Sequence, residues 1–461
     1  MKNRNIIASV PGSKFRFLYL TVFLLSLALR ISLVMVNRDA NDDHLEVTRM
    51  MLHTGSLPTG DQCWECFQPK LYHAALAVSF RLAGILDPDL QVLFANLVSF
   101  LAGALTLASM GCFLRGLPFP PSHSLLAFAL VAFNPKFIGI TAQATNDSLL
   151  ILFSTLALLL FNSFLLGDTS THFSLAILFT ALAISTKSSG IIIFLAILLV
   201  LLLRSAFEPA RRVHFAFLTL VHVIAVLMLV VSNPLNQYIV NHRLFGTPLL
   251  LNMERRPLPF FNKPTSYANP GILSIKDGFL TFKYIQLMAH PRIEDSIEGN
   301  LQHRTSLWTQ LYARAHSVNF DNWPPSWSTS SGSIFPLVRS IFLLALLPTG
   351  LVLLGAFLQI WRLMRAIWHR DLHTATALQF GLYPLAMVGC IAFVALYALL
   401  YREFSVMKAI FLLPALPAYP LAFLVAIENR PPWFNHLVTA TSLTLLGLYC
   451  ADVISLIIRL A

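Results

Sequence analysis

The stretch "NRDANDDHLEVTRMM" (37–51) places Asp39, Asp42, Asp43, His44 and Glu46 together in a chain of which only 11% of residues are charged. It follows directly on an apolar run that ends at Val36. Two adjacent carboxylates can do general acid–base work. Each raises the other's pKa from the ordinary aspartate value of about 3.9, and partial desolvation raises it further. The same acids could form no more than a solvated collar where a helix ends. Three further groups bear on that choice. Asn146 and Asp147 head a later apolar run, within "QATNDS" (143–148), and Lys187 stands in "STKSSG" (185–190) between two half-length runs. An ionisable group at membrane depth is expensive unless it lines a cavity or binds something. Broken helices are likewise tolerated mainly where the freed backbone lines a site. Lys187 could instead snorkel to the interface, and Asn146 or Asp147 could simply cap a helix.

Membrane helices must position these groups. Hydrophobic residues make up 56% of the 461 and the mean hydropathy is +0.70, so the fold class is an all-α polytopic membrane protein. Phe15–Val36 is too long for the core of a signal peptide and lacks a small-residue cleavage site, so it reads as a signal anchor. Spans are expected at 15–36, 92–114, 123–140, 149–166, 173–186, 190–203, 213–232, 337–360, 376–400, 408–427 and 436–458, about eleven in all. With 71–84 at the interface and 173–203 as a short-armed hairpin, one orientation is consistent. Lys2, Arg4, Lys14, Arg16, Arg115, Arg204, Arg211, Arg212, Arg362, Arg365, Arg370 and Arg430 then all face the cytoplasm. The net charge of +11 is therefore read as an orientation signal, not as nucleic-acid binding.

That orientation gathers the chemistry on one side. The chain divides into an N-terminal transmembrane module (1–232) with its first outer loop (37–91), a long outer segment (233–336) and C-terminal helices (337–461). The outer segment carries "RRPLPFFNKP", "FDNWPPSW" and a helical stretch from about Ile293 to Ala315, and is expected to pack over a membrane-facing cavity. Pro69 opens a helix whose Leu71, Ala74, Ala75 and Val78 suit the membrane surface. Cys63 and Cys66 form a lone CxxC. It reads as a small-loop disulfide or two ordinary thiols, since zinc would need two more ligands and His53 and His73 are weak candidates.

An acidic pair with a nearby His just after the first span resembles the opening of integral-membrane glycosyltransferases of the GT-C superfamily. The likeness is to the branch containing protein O-mannosyltransferases and lipid A aminoarabinose transferases (glycosyltransferase family 39-like). "ECFQPKLYH" (65–73) is similar to that branch's "QPPLYY"-type segment, with Lys70 in place of the second Pro. "FNPKFIGITAQATNDSLLILFSTLAL" (133–158) resembles its "P…(N)D.L" passage, and "ALAISTKSSGIIIF" its "L.TK..G" hairpin. "LFGTPLL" (244–250) and "MKAIFLLPALP" (407–417) are looser matches, with Ala409-Ile410 where Arg-Tyr is usual. The usual Asp-Glu with a more distant His is compressed here to Asp42-Asp43-His44.

The resemblance implies a polyprenyl-phosphate-linked monosaccharide used on the outer face, with inverting transfer to an acceptor hydroxyl. Asp42 or Asp43 would be the general base and the other would orient the acceptor. The leaving phosphate calls for cations. Lys187 comes first, then Lys408 and Arg402 at the outer end of the tenth span, then Arg255 and Arg256. Asp147 would bind a sugar hydroxyl or hold one of these cations, and His44, Asn146, Gln68 and Tyr72 complete the substrate-binding set. No cofactor and no metal are expected, although the acids could bind a divalent ion as in oligosaccharyltransferases. The implied partners are the lipid-linked donor, the bilayer and a protein, lipid or glycan acceptor. The bacterial inner membrane, with the site facing the periplasm, is the expected location. A transporter or flippase is the rival reading, though it should place charges at the midplane of related halves. A non-catalytic assembly subunit is the other.

Overall fold

The computed structural model describes residues 13–40, 44–167, 169–249, 274–292, 301–320, 324–327, 332–369, 375–401 and 406–461. Among them the chain is all-helical, with one isolated parallel bridge between Ala40 and Ala144. The first long helix, α1 (Ser13–Val36), is followed by the short α2 (His44–Thr54) and α3 (Leu71–Ala83). Next come α4 (Pro88–Arg115), α5 (Pro121–Ala132), α6 (Pro135–Ile140), α7 (Asp147–Gly167), α8 (Ser170–Thr186), α9 (Ile191–Phe207) and α10 (Arg212–Val231).

Eight described helices are long and apolar enough to cross a membrane, or nine if a pair bent by 77°, Ala409–Ala415 with Ala418–Ile427, is one span. The protein is an integral, multi-pass membrane protein. The expected eleven are not all of crossing length. The 173–186 segment makes the 17-residue α8, and 123–140 breaks after the 12-residue α5. The break has a local cause: Pro135 cannot donate, and Asn134 caps the next turn by accepting from the Phe137 N–H at 2.9 Å. It frees the Ala132 carbonyl, which accepts from the buried Arg30 guanidinium of α1 at 2.8 Å. Arg30 also donates to Thr141 Oγ1 at 3.0 Å and to its own turn at Ser26 O, 3.1 Å. A charge inside an apolar helix thus supplies the hydrogen bonds that the break would otherwise leave unmade.

The hairpin around Lys187 closes tightly. A single 3-10 turn, Ser188–Gly190, separates α8 from α9, and a Cβ at Gly190 would stand 2.5 Å from the backbone carbonyl carbon of Ala183. Gly190→Ala must therefore push the turn off α8. We expect it to cost about 1–3 kcal/mol, the usual penalty for overpacking, read as a lower Tm in detergent. An unchanged Tm would mean that the reversal is looser than described.

The outer segment comprises α11 (Gln237–Phe245), α12 (Ile275–Phe279), α13 (Tyr284–Ala289), α14 (Leu301–Arg304) and α15 (Leu307–His316). The expected helical stretch from Ile293 is described only from Leu301, and "RRPLPFFNKP" lies outside the described residues. The C-terminal helices are α16 (Phe335–Leu344), α17 (Leu346–Trp368), α18 (Ala375–Tyr401), α19 (Ala418–Ile427) and α20 (Pro432–Leu460). Gly355 of α17 lets α19 pack backbone against backbone, since a Cβ there would overlap the Ala422 carbonyl oxygen at 1.8 Å.

Two side chains from the spans dock the outer segment. Asp452 of α20, fully buried, accepts from Val318 N at 2.8 Å, Ser317 Oγ at 3.0 Å and Asn319 Nδ2 at 2.9 Å. Asn37, at the end of α1, accepts from Trp327 Nε1 at 3.2 Å and donates to Ala142 O at 3.0 Å.

Candidate active site

The polar groups gather where the α6–α7 turn, the α8–α9 hairpin and the start of α3 meet. Asp147 opens α7, yet its carboxylate does not serve the helix end. Both oxygens accept from Lys187 Nζ at 2.8 Å, and Thr145 Oγ1 adds a contact at 3.1 Å. The Asp147 N–H is taken by Thr145 Oγ1 at 3.3 Å. Both side chains of the pair are largely buried, with 12% of Lys187 and 6% of Asp147 exposed. Lys187 reaches this position because it ends α8 in an extended conformation (φ −155°, ψ 142°), which turns its side chain out of the helix. Its ammonium also lies 5.5 Å from the centre of the Phe411 ring, a cation–π contact with the 3-10 turn Ala409–Ala415 that Lys408 introduces.

Next to the pair, Asn146 Nδ2 donates to Gln68 Oε1 at 2.6 Å. Gln68 donates in turn to Glu65, and the Lys70 ammonium donates to the Cys66 carbonyl. The same loop is held from above by Asn241 Nδ2 of α11, which donates to Phe67 O at 2.9 Å. Burial pushes the Lys70 amine down to about 7, with Glu65 acting in the opposite direction. Gln68 therefore spends its amide on the protein and positions Asn146.

The last component is aromatic. His44 begins α2, is buried, and stacks on His73 with ring centres 5.5 Å apart; Tyr72 meets His73 edge-on at 5.4 Å. Burial, with the nearby charges of His44, Lys70 and Lys187, holds the His73 pKa well below the usual histidine range. The Ala40–Ala144 bridge brings the chain immediately before the acidic stretch alongside the α6–α7 turn.

Six of the residues expected from the sequence, His44, Gln68, Tyr72, Asn146, Asp147 and Lys187, are thus brought into one cluster, with the turn that follows Lys408 against it. Asp42, Asp43, Arg402, Arg255 and Arg256 lie outside the described residues. Sequence reasoning passed over Lys70 and Glu65 and considered His73 only as a weak metal ligand. The signal for Lys70 was the departure from the Pro-Pro pattern itself.

Cys63 and Cys66 are joined in a disulfide. The loop between them is short, so the chain-entropy model gives a stabilisation of only about 2 kcal/mol. Its position matters more, because Cys66 O anchors Lys70 and Gln68 lies two residues on. Cys63→Ser/Cys66→Ser is expected to lower the Tm modestly and any turnover more than the Tm loss explains. Equal, small losses in both would reduce the bridge to a staple.

Beyond the Ala409–Ala415 turn, on the side of α15, is a mostly apolar cavity of about 550 Å³. Lys136 and His316 are its ionisable lining residues, and Leu311, Tyr312, Leu353 and Phe423 contribute apolar walls. His316 bridges the Tyr449 hydroxyl and Thr349 Oγ1, the latter at 2.8 Å, so the outer helix is tied to α17 and α20 across this space.

Residues 69–234 match the family model described as dolichyl-phosphate-mannose-protein mannosyltransferase. The family so described is of the GT-C class of integral-membrane glycosyltransferases that the motifs resemble. The match takes in "PKLYH", "NPKF…NDS" and "TKSSG" and ends at the start of the outer segment. No curated protein matches the chain. Among solved structures the chain is similar to ArnT from Cupriavidus metallidurans, bound to undecaprenyl phosphate (16% identity, 93% of this chain and 63% of that one, TM-score 0.43). The same protein in the apo state gives 18% identity over 93% and 62%, TM-score 0.46. The oligosaccharyltransferase AglB from Archaeoglobus fulgidus, in complex with an inhibitory peptide and a dolichol-phosphate, gives 10% identity over 95% and 56%, TM-score 0.49. The chain spans about three-fifths of the length of these proteins.

Proposed function

We propose that the protein transfers a monosaccharide from a polyprenyl-phosphate-linked donor to an acceptor hydroxyl on the outer face of the membrane, with inversion at the anomeric carbon. The observation that carries this reading is the buried Asp147–Lys187 pair. An ammonium has three N–H donors. Two are used on Asp147, which fixes the group and leaves the third to meet a phosphate oxygen where water is scarce. A preorganised cation of this kind stabilises the charge that develops on a departing phosphate.

Asp42 or Asp43 takes the acceptor proton as its oxygen attacks, and the other acid orients the acceptor. Lys408, Arg402, Arg255 and Arg256 supply further positive charge for the leaving group, and His44, Tyr72, Asn146 and Gln68 shape the sugar pocket. The apolar cavity beyond Phe411 takes the first isoprenoid units of the donor, with its anionic head towards Lys187. The chemistry needs no cofactor. The positive-inside pattern favours a periplasmic site in a bacterial inner membrane.

The test is transfer of labelled sugar by the purified full chain in liposomes, offered a panel of polyprenyl-phosphate monosaccharides with protein, lipid and glycan acceptors. Turnover with at least one donor is expected. None with any donor, from folded protein, would favour the assembly-subunit reading, and donor movement without transfer would favour a flippase.

A further inference from the structure

The segment Gln68-Pro69-Lys70-Leu71-Tyr72-His73 departs from the "QPPLYY" pattern twice, with Lys for the second Pro and His for the final Tyr. Both departures introduce an ionisable group, both side chains are fully buried, and His73 feels the charges of His44, Lys70 and Lys187. Lys70 is satisfied by the Cys66 carbonyl. His73 is not fully satisfied: its Nδ1 lies 3.5 Å from Thr48 Oγ1, but its Nε2 has no partner although it is sealed from solvent. Leaving such an atom unpaired costs its desolvation, and an orphan of this kind in a native structure asks for an explanation.

Local hydrogen bonding favours one tautomer. The Thr48 hydroxyl donates to the His44 carbonyl at 3.4 Å, so its oxygen is left to accept from Nδ1–H of His73. Nε2 then carries a lone pair. A lone pair repels a phosphate oxygen and accepts from a hydroxyl. Burial, with the neighbouring charges of His44, Lys70 and Lys187, keeps the ring from acquiring the proton that would reverse this preference.

We infer that His73 is a specificity-determining residue whose Nε2 accepts a hydrogen bond from a saccharide hydroxyl, on the transferred sugar or on a sugar acceptor. The inference rests on the glycosyltransferase reading above and adds to it a residue and a ligand group. Tyr at this position would offer a phenol at a different reach, so the chain is tuned to a hydroxyl pattern of its own.

The experiment compares wild type, His73→Phe and His73→Gln in liposomes, with Tm measured for each. Each enzyme is assayed with the working donor and with its monodeoxy analogues. Phe removes the acceptor, whereas Gln offers an amide oxygen close to Nε2. We expect His73→Phe to raise one KM about tenfold, with a smaller change in kcat, and His73→Gln to recover most of it. One deoxy compound should be penalised about tenfold in wild type and no further in His73→Phe. A raised donor KM identifies the transferred sugar as the source of the hydroxyl, and a raised acceptor KM identifies the acceptor. Wild-type kinetics in both variants, or deoxy penalties that His73→Phe leaves intact, would overturn the inference while transfer itself stands. If His73→Phe does not fold, His73→Gln with the deoxy series decides by the same comparison. Absence of turnover in wild type would instead overturn the underlying function, and this inference with it.

Discussion

Asp42→Asn/Asp43→Asn is expected to abolish transfer while leaving the helical bundle folded. Removing a general base costs typically 10²–10⁴-fold in rate, and removing its neighbour also takes away the group that orients the acceptor. Donor binding should survive, because in the proposed site Lys187 and the other cations, not these acids, hold the phosphate. The two single variants separate the roles: the base variant loses kcat, and the orienting variant mainly raises the acceptor KM. The measurement is the initial rate of sugar transfer in liposomes alongside equilibrium binding of the lipid donor. Transfer that persists in the double variant would remove both residues from the chemistry. Equal loss of binding and turnover would make them part of the donor site instead.

The second large effect concerns the ion pair. Lys187→Met leaves the buried Asp147 carboxylate without its cation, and breaking a buried pair from one side costs about 3–5 kcal/mol. Asp147→Asn leaves the ammonium held by less. The pair of substitutions together removes both charges, and swaps of this kind are often nearly neutral. Stability should therefore fall in Lys187→Met and recover in Asp147→Asn/Lys187→Met. Activity should not recover, because the proposed phosphate ligand is gone in both. This split between Tm and turnover distinguishes a phosphate-binding lysine from one whose whole task is to satisfy Asp147. Joint recovery of stability and transfer would assign the pair to architecture alone.

Hydropathy located every long apolar segment, because an isolated helix in lipid must satisfy its own backbone and so announces itself by length and composition. The break at "STKSSG" was expected from the two half-length runs around it, but two others were not. The Asn134-Pro135 interruption and the 77° bend at Ala409–Ala415 with Ala418–Ile427 depend on local prolines and on partners elsewhere in the chain. Arg30 and Asp452 are single charges that an average over an apolar run conceals, yet each satisfies backbone groups in another segment, Arg30 at Ala132 and Asp452 at Val318. Asp147 and Lys187 were legible because ionisable residues at the ends of apolar runs have few inexpensive roles. Their direct pairing was only one of the alternatives, since Asp147 was expected to hold one of several cations or a sugar hydroxyl. It joins residues 40 positions apart, and no periodicity in either helix encodes it. Gln68 was expected to touch substrate. Its contacts with Asn146 and Glu65 were not legible, because they require knowing what lies across the loop. His73 was visible only as a doubtful metal ligand, since the orphan state of Nε2 is a property of the packed cluster.

The most direct test of a shared lipid-phosphate site uses a polyprenyl-phosphate sugar carrying a photoreactive group close to the phosphate, irradiated with the full chain in liposomes and mapped by mass spectrometry. Labelling is predicted on peptides containing Gln68–His73, Asn146–Asp147, Lys187 or Lys408–Leu412, competed away by unlabelled donor and reduced in Lys187→Met. Label confined to lipid-facing helix surfaces, or unaffected by competing donor, would contradict convergence of these segments on one substrate.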